Sequence, residues 1–357
     1  ENLSMPYEID FLPVGTGKSG DAIAARWGTE GNYKVIVIDG GTKESGQALV
    51  EHIKKYYKTE HVNYVVNTHP DNDHASGLTE ILNCLTVDEL WIHKPWEYSA
   101  EILEAVKDGR ITENSLAAKL QESFKMAYSL TQLAEEKNIT IKEPFQGEKI
   151  GVFTVLSPSK YDYLELITKS NKTPEIKESL LEKAGFYAKK VIQWIASQWD
   201  KDNLSEDVST SEINETSVVL YGDIDDKRIL LTGDSGIISL NSAADYAEAI
   251  DVDLKECCFI QIPHHGSRNN VSPSVLNRVI GDIVPKDSDM TKTAFVSAAK
   301  DDSDHPRHAV TNAFKRRGAQ VATTEKNAIH SYYNTPSRPG WGPITPLPFY
   351  DEEEEVG

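Results

Sequence analysis

The segment Thr68-His69-Pro70-Asp71-Asn72-Asp73-His74 sets four side chains of metal-ligand type within six residues, directly after the apolar run VNYVV. Imidazole nitrogens and carboxylate oxygens at that density, at the end of a strand, suit divalent cations. A tight loop can turn His69 and Asp71 one way and Asp73 and His74 another, so one loop could serve two ions. Asp73 alone would read as the cap of a helix starting at Ala75. Two later strand ends join the pattern. LLTGD closes on Asp234, whose carboxylate could bridge two cations if it points inward, although Asp-Ser-Gly is also a common turn start. IPHHGS closes on His264 and His265. Consecutive strand residues face opposite ways, so only one of the two continues the metal face unless the strand bends; the other is free to donate a proton or hold an anion.

The elements that must position these groups follow from the apolar patterning. YEIDFLPV, AIAARWG and KVIVIDGG read as opening strands, and Ser45 to Tyr57 as a helix. VNYVVNTH and ELWIHKP are strands around a helix over 77–85. Helical spacing runs through 99–137, on Leu116, Leu120, Phe124, Ala127 and Leu130. A second stretch, 160–200, carries Ile192, Trp194, Ile195 and Trp199 at helical spacing, and an acidic loop follows it. GVFTVLSPS, TSVVLYG, RILLTGD, CCFIQIPHHGS, TAFVSAA, QVATTE and AIHSYYN read as strands, with a helix over 308–318. GTGKSG is a glycine-rich turn: a phosphate loop needs glycine where Leu12 stands. Strands alternating with helices at both ends predict an α/β fold of two sheets with outer helices.

Composition narrows the function. The chain of 357 residues has 37 basic and 56 acidic residues, a net charge of −19, which disfavours a protein that coats polyanions along their length. Lys54, Lys55, Lys58 and the run Lys315-Arg316-Arg317 are candidates for a local basic track, or for solvated helix faces. Three cysteines, two of them adjacent, form no zinc-type CxxC pair and suit a reducing compartment, so a cytoplasmic location is expected. No apolar run is long enough for a membrane span, and the N-terminus lacks the pattern of a secretory signal. Glu352 to Glu355 reads as a disordered, solubilising acidic tail over 351–357.

The order of these motifs resembles the metallo-β-lactamase superfamily, and within it the ComEC/Rec2-like hydrolase domain of DNA-uptake proteins. The resemblance rests on Gly20-Asp21-Ala22, Ile38-Asp39-Gly40-Gly41, the HPDNDH loop and Asn214-Glu215-Thr216-Ser217. It continues through Leu231-Thr232-Gly233-Asp234, His264-His265-Gly266-Ser267 and Asp304-His305-Pro306, then closes on Thr324 to Ile329. It implies one αββα sandwich domain over 5–350 with two helical insertions, about 99–137 and 160–210. His69, Asp71 and Asp234 would hold a first metal. Asp73, His74, Asp234 and a later histidine, His264 or alternatively His305, would hold a second, with Asp39 behind them. His265 or His305 would act as proton donor, Asp73 would orient the nucleophile, and Ser267 and Asn214 would contact substrate.

Two departures matter. Asp71 stands where the superfamily loop has histidine, and no histidine occurs between His93 and His264; the resemblance to the ComEC-like group offers Asn214 or Glu215 for the third position. Oxygen ligands shift the preference from zinc towards manganese, with magnesium possible. Two divalent cations would acidify water and neutralise charge on a phosphoryl group. The expected activity is therefore phosphodiester hydrolysis, with nucleic acid, DNA foremost, as substrate and a protein partner from a defence or repair operon. A small-molecule ester, lactone or phosphodiester hydrolase and a catalytically weak scaffold are the alternatives.

Overall fold

The alternation of apolar and polar positions along each strand decides which side chains meet. In β3 (Lys34–Gly40), Ile36 and Ile38 point to one face, while Val35 and Val37 pack with helices on the other. Such a strand needs cover on both sides, which is the requirement of a layered sandwich. The structure is a computed structural model describing residues 4–15, 17–106, 110–173 and 193–355.

The first half of the chain supplies β1 (Tyr7–Phe11), β2 (Ala22–Trp27), β3, β4 (His61–Val66), β5 (Thr86–Trp91) and β6 (Thr140–Lys142). Next come β7 (Lys149–Ile150), β8 (Phe153–Ser157), β9 (Trp194–Ala196), β10 (Val219–Ile224) and β11 (Lys227–Leu231). The last five are β12 (Phe259–Gln261), β13 (Lys292–Val296), β14 (Ala319–Thr323), β15 (Ile329–Tyr333) and β16 (Glu352–Glu354). One seven-stranded sheet has the order β15-β1-β2-β3-β4-β5-β6, and the other β14-β13-β12-β11-β10-β8-β7. Between them lies a core built on Phe11, Phe153, Phe259 and Phe295. Two outer cores seal the sheets. One packs under α1 (Lys43–His52), α2 (Asn72–Ala75), α3 (Leu78–Cys84), α4 (Ser99–Ala105), α5 (Glu113–Ser123) and α6 (Lys125–Glu136). The other packs mainly under α9 (Ile237–Ala249), α10 (Pro273–Val279) and α11 (His308–Arg316); α7 (Lys160–Lys169) and α8 (Glu212–Glu215) lie between in sequence. The α/β sandwich expected from the motif order is the observed architecture.

Several expectations change. The predicted helix ending at Tyr57 is α1 followed by a π-helical turn over Ile53–Tyr57. The stretch from 160 is helical only through α7 among the described residues; Trp194 and Ile195 lie in β9, while Ile192 falls outside the described residues. The acidic tail is not a loose end: Glu352–Glu354 form β16, antiparallel to β9, with Glu353 and Glu354 buried. Glu353's partner comes from the run read as a basic track or a solvated helix face. Arg316 pairs with Glu353 at 2.7 Å and Arg317 with Asp202 at 2.6 Å, so both guanidinium groups are buried structural charges. No helix among the described residues is long and apolar enough to cross a membrane.

Candidate metal centre

The HPDNDH loop leaves the end of β4 and is held by Asp39, next to last in its parallel neighbour β3. Asp39 adopts φ 55°, which turns its carboxylate under the loop. One oxygen accepts from the Thr68 N–H at 2.8 Å and from Asn67 Nδ2 at 3.2 Å; the other accepts from the Thr68 hydroxyl and from His74 Nδ1 at 2.9 Å. Gly20 allows the turn before β2 to close beneath, since a Cβ there would lie 2.2 Å from the Asp73 carbonyl oxygen. The cap of α2 is the Asp71 carbonyl, which accepts from His74 and Ala75; Asp73 is left for the site.

Asp234 is delivered by the turn after β11. The Gln261 side chain accepts from the N–H groups of Thr232 and Gly233 at 2.9 and 3.0 Å, and Asn270 Nδ2 donates to the Asp234 carbonyl at 2.9 Å. Its carboxylate then meets four imidazoles from both sheets. Oδ2 lies 3.7 Å from His69 Nε2, 3.4 Å from His74 Nε2 and 3.6 Å from His264 Nε2, and Oδ1 lies 3.8 Å from His265 Nε2. His264 and His265 both reach it because the chain bends after β12 into three left-handed residues, with φ 45°, 58° and 82° at His264, His265 and Gly266. Non-glycine residues there are strained, and such strain gathers at functional sites.

Four overlapping groups of ligand atoms result: Asp39, His69 and His74; Asp73, His74 and His265; Asp234, His264 and His265; Asp21, His74 and Asp234. His69 Nε2, His74 Nε2 and Asp234 Oδ1 are buried without a hydrogen-bond partner. Orphaned buried acceptors facing one another are costly unless something cationic sits among them, so the residues present fit a divalent metal centre. Outer contacts fix the tautomers: His74 Nδ1 is held by Asp39, and His265 Nδ1 donates to the Ser297 carbonyl at 3.0 Å, leaving each Nε2 open.

Charge follows the same geometry. Burial works against Asp234's charge, yet His74, His264 and His265 hold its carboxyl well below the usual range. Burial opposes protonation of His74 too, but Asp234 and Asp39 raise it well above the ordinary value. Burial lowers His265 to about 3 and also lowers His69. It pushes Asp21 up to about 7, with His74 opposing and Asp234 reinforcing.

Placed against the sequence expectations, His69, His74, Asp73, Asp234 and Asp39 converge. Both paired histidines enter ligand groups: His264 with Asp234 and His265, and His265 also with Asp73 and His74; His264 lies closer to solvent, beside Asn214 and Asn270. His305 belongs to none of the ligand groups; Asp302 binds its Nδ1 at 3.1 Å, and its ring lies 6.3 Å from that of His264. Asp71 sits at the edge, 3.8 Å from His69 Nε2 and 3.0 Å from Lys172 Nζ. Ser267 is buried and its hydroxyl accepts from Asn269, within its own loop. Asn214 reaches the rim, with Nδ2 3.3 Å from His264 Nδ1. Glu215 does not fill the missing third position, because its carboxylate accepts from the N–H groups of Gly236, Ile238 and Ser239 at the start of α9. Asp21 and Gln261 were given no role from sequence. Gln261 donates to Asp21 at 2.8 Å, and a glutamine inside an apolar strand was the available signal.

Residues 29–124, which include β3, β4 and the HPDNDH loop, match the family model described as Metallo-beta-lactamase superfamily. The fold around that segment is of the metallo-β-lactamase type. No curated protein matches this chain by sequence. Among solved structures, the metallo-beta-lactamase fold protein YhfI from Bacillus subtilis is similar at 9% identity and a TM-score of 0.39, over 91% of this chain and 100% of that one. A diphosphatase from the PhnP family is similar at 11% identity and a TM-score of 0.37, over 92% and 99%. AidC, a dizinc quorum-quenching lactonase, is similar at 11% identity and a TM-score of 0.31, over 67% and 69%.

Proposed function

We propose that this protein is a metal-dependent phosphodiester hydrolase acting on nucleic acid, DNA foremost, in the manner of the ComEC-like nucleases. The observation that carries the reading is the Asp234 carboxylate within 3.4–3.8 Å of four imidazoles, two from the HPDNDH loop and two from the HHGS loop. His69, Asp71 and Asp234 would hold one divalent ion, and Asp73, His74, His265 and Asp234 a second. Zinc or manganese suits this mixed nitrogen and oxygen set. Bound there, a pair of divalent ions supplies Lewis acidity and water acidified towards neutrality.

The chain's own residues supply the rest. Asp73 accepts a proton from the attacking water and orients it. His305, held by Asp302 and a quarter exposed at the rim, delivers a proton to the leaving oxygen. Asn214 and His264 contact the non-reacting oxygens of the phosphate. The test is incubation of protein reconstituted with Mn²⁺ or Zn²⁺ with labelled single- and double-stranded DNA and RNA. Cleavage by the wild type, lost in Asp73→Ala and Asp234→Asn, is the expected result. Hydrolysis of lactones or small esters with intact polymers would replace the nuclease reading, and absence of all hydrolysis with no bound metal would leave a scaffold.

A further inference from the structure

Beside the candidate metal centre lies a second concavity to which sequence motifs gave no role. It has a volume of about 430 Å³ and opens between the HPDNDH loop and the junction of α5 with α6. Asp71 belongs to its wall and lies 3.8 Å from His69 Nε2, so the hollow adjoins the edge of the centre. The remaining polar lining is Asn72, Ser123, Lys125, Ser129 and Lys172, with Phe124 among its apolar residues. Lys172 Nζ lies 3.0 Å from one Asp71 oxygen and 5.5 Å from the centre of the Phe124 ring, while the other Asp71 oxygen faces His69. Lys125 has no carboxylate partner among the described residues. In a chain of net charge −19, a hollow lined by two ammonium groups and two hydroxyls, with one ammonium paired to Asp71 and Lys125 left over, favours an anion.

We infer that this hollow binds the phosphate next to the scissile one on the substrate strand. The inference rests on the phosphodiesterase reading for the identity of its anion. The chemistry is that of a phosphate subsite: point charges from two lysines, hydroxyl donors beside them, and a wall shared with the reacting centre. The ammonium of Lys172 is already fixed by Asp71 and Phe124, so little ordering is needed when the anion arrives. The subsite makes the enzyme prefer substrates carrying two consecutive phosphates.

The test compares two esters, thymidine 5′-(p-nitrophenyl phosphate) with and without a 3′-phosphate, and calorimetric binding of thymidine 3′,5′-bisphosphate against the 5′-monophosphate. In the wild type, the additional phosphate is expected to lower KM and Kd about tenfold. Lys125→Met and the double variant Lys125→Met/Lys172→Met should collapse both ratios towards one, and Lys125→Arg should restore most of the preference. Cleavage of both esters with equal KM, together with equal binding, overturns the subsite and leaves the hydrolase reading standing. Preferential bisphosphate binding that needs Lys125, with neither ester cleaved, supports the subsite and overturns the hydrolase.

Discussion

The carboxylate of Asp39 accepts a hydrogen bond from His74 Nδ1 at 2.9 Å, and the opposite ring nitrogen of His74 faces Asp234 at 3.4 Å. One buried acid thus decides which nitrogen of a candidate ligand is presented, and raises its basicity as well. Asp39 also binds the N–H and hydroxyl of Thr68, so it sets the path of the loop and the tautomer together.

Asp39→Asn tests this. Asparagine tolerates φ 55°, so the backbone survives the change, but the amide cannot match a carboxylate as an acceptor for Thr68 and His74 at once. Metal affinity, measured by competition with a chromogenic chelator, should fall by about 10–100-fold while thermal unfolding of metal-free protein shifts little. Unchanged affinity would show that His74 needs no such support.

Glu215 carries the opposite expectation. Its carboxylate satisfies three N–H groups at the start of α9 and accepts from the Ser239 hydroxyl. Glu215→Ala should destabilise the protein by about 1–3 kcal/mol, the range for stranding buried donors. Metal stoichiometry, read by mass spectrometry of native protein, should stay that of the wild type. Loss of a metal equivalent at unchanged stability would return Glu215 to the ligand set.

A buried charge cluster on the outer face of β1 sets an acid limit. Arg338 grips Asp10 through both terminal nitrogens, at 2.7 and 2.8 Å, and lies 3.4 Å from Glu8. Burial would raise Asp10, but His52 and Arg338 hold it well below the usual carboxylate value; Glu8 is lowered likewise, against burial, by His330, Arg338 and Arg26. Depressed folded-state values mean that this stabilisation is complete above the unfolded carboxylate range of about 4 and is lost as pH falls below it. Urea midpoints from about pH 7 to about pH 2 should therefore show a constant gap between the wild type and Arg338→Met down to about pH 4, and the gap should narrow below it. A gap independent of pH would remove the electrostatic account.

What was legible in the sequence followed from local rules. Apolar runs located β3, β4, β11 and β12, and ligand-type residues at their ends located the loops that meet at Asp234. The runs TSVVLYG and RILLTGD located β10 and β11, which pair as a hairpin through Asp225-Asp226, both with positive φ as the tight turn requires. What escaped depends on partners distant in the chain. Arg316 looked like a solvated or nucleic-acid-binding cation until Glu353, far along the sequence, was placed against it. The equal access of His264 and His265 to Asp234 depends on a left-handed bend that an alternating strand pattern cannot announce. Glu215 and Asn214 are neighbours in one short helix, and only the position of α9 decides that the first is a cap and the second faces the rim.

The C-terminal strand yields the last expectation. Glu354 accepts from the N–H groups of His308 and Ala309, both at 3.0 Å, and so caps α11, whose preceding Arg307 supplies no side-chain cap. Glu353 neutralises buried Arg316, and Arg268, next to the HHGS loop, donates to the Glu355 carbonyl at 3.0 Å. The strand therefore joins a helix end to the loop that carries His264 and His265. Glu354→Ala should cost about 1–2 kcal/mol, as other lost caps do. Removal of residues 351–357 should cost about 3–5 kcal/mol, because it leaves the Arg316 charge buried without Glu353. Chemical denaturation of the three proteins measures both, and a truncated chain as stable as the full one would return these residues to the status of a solvated tail.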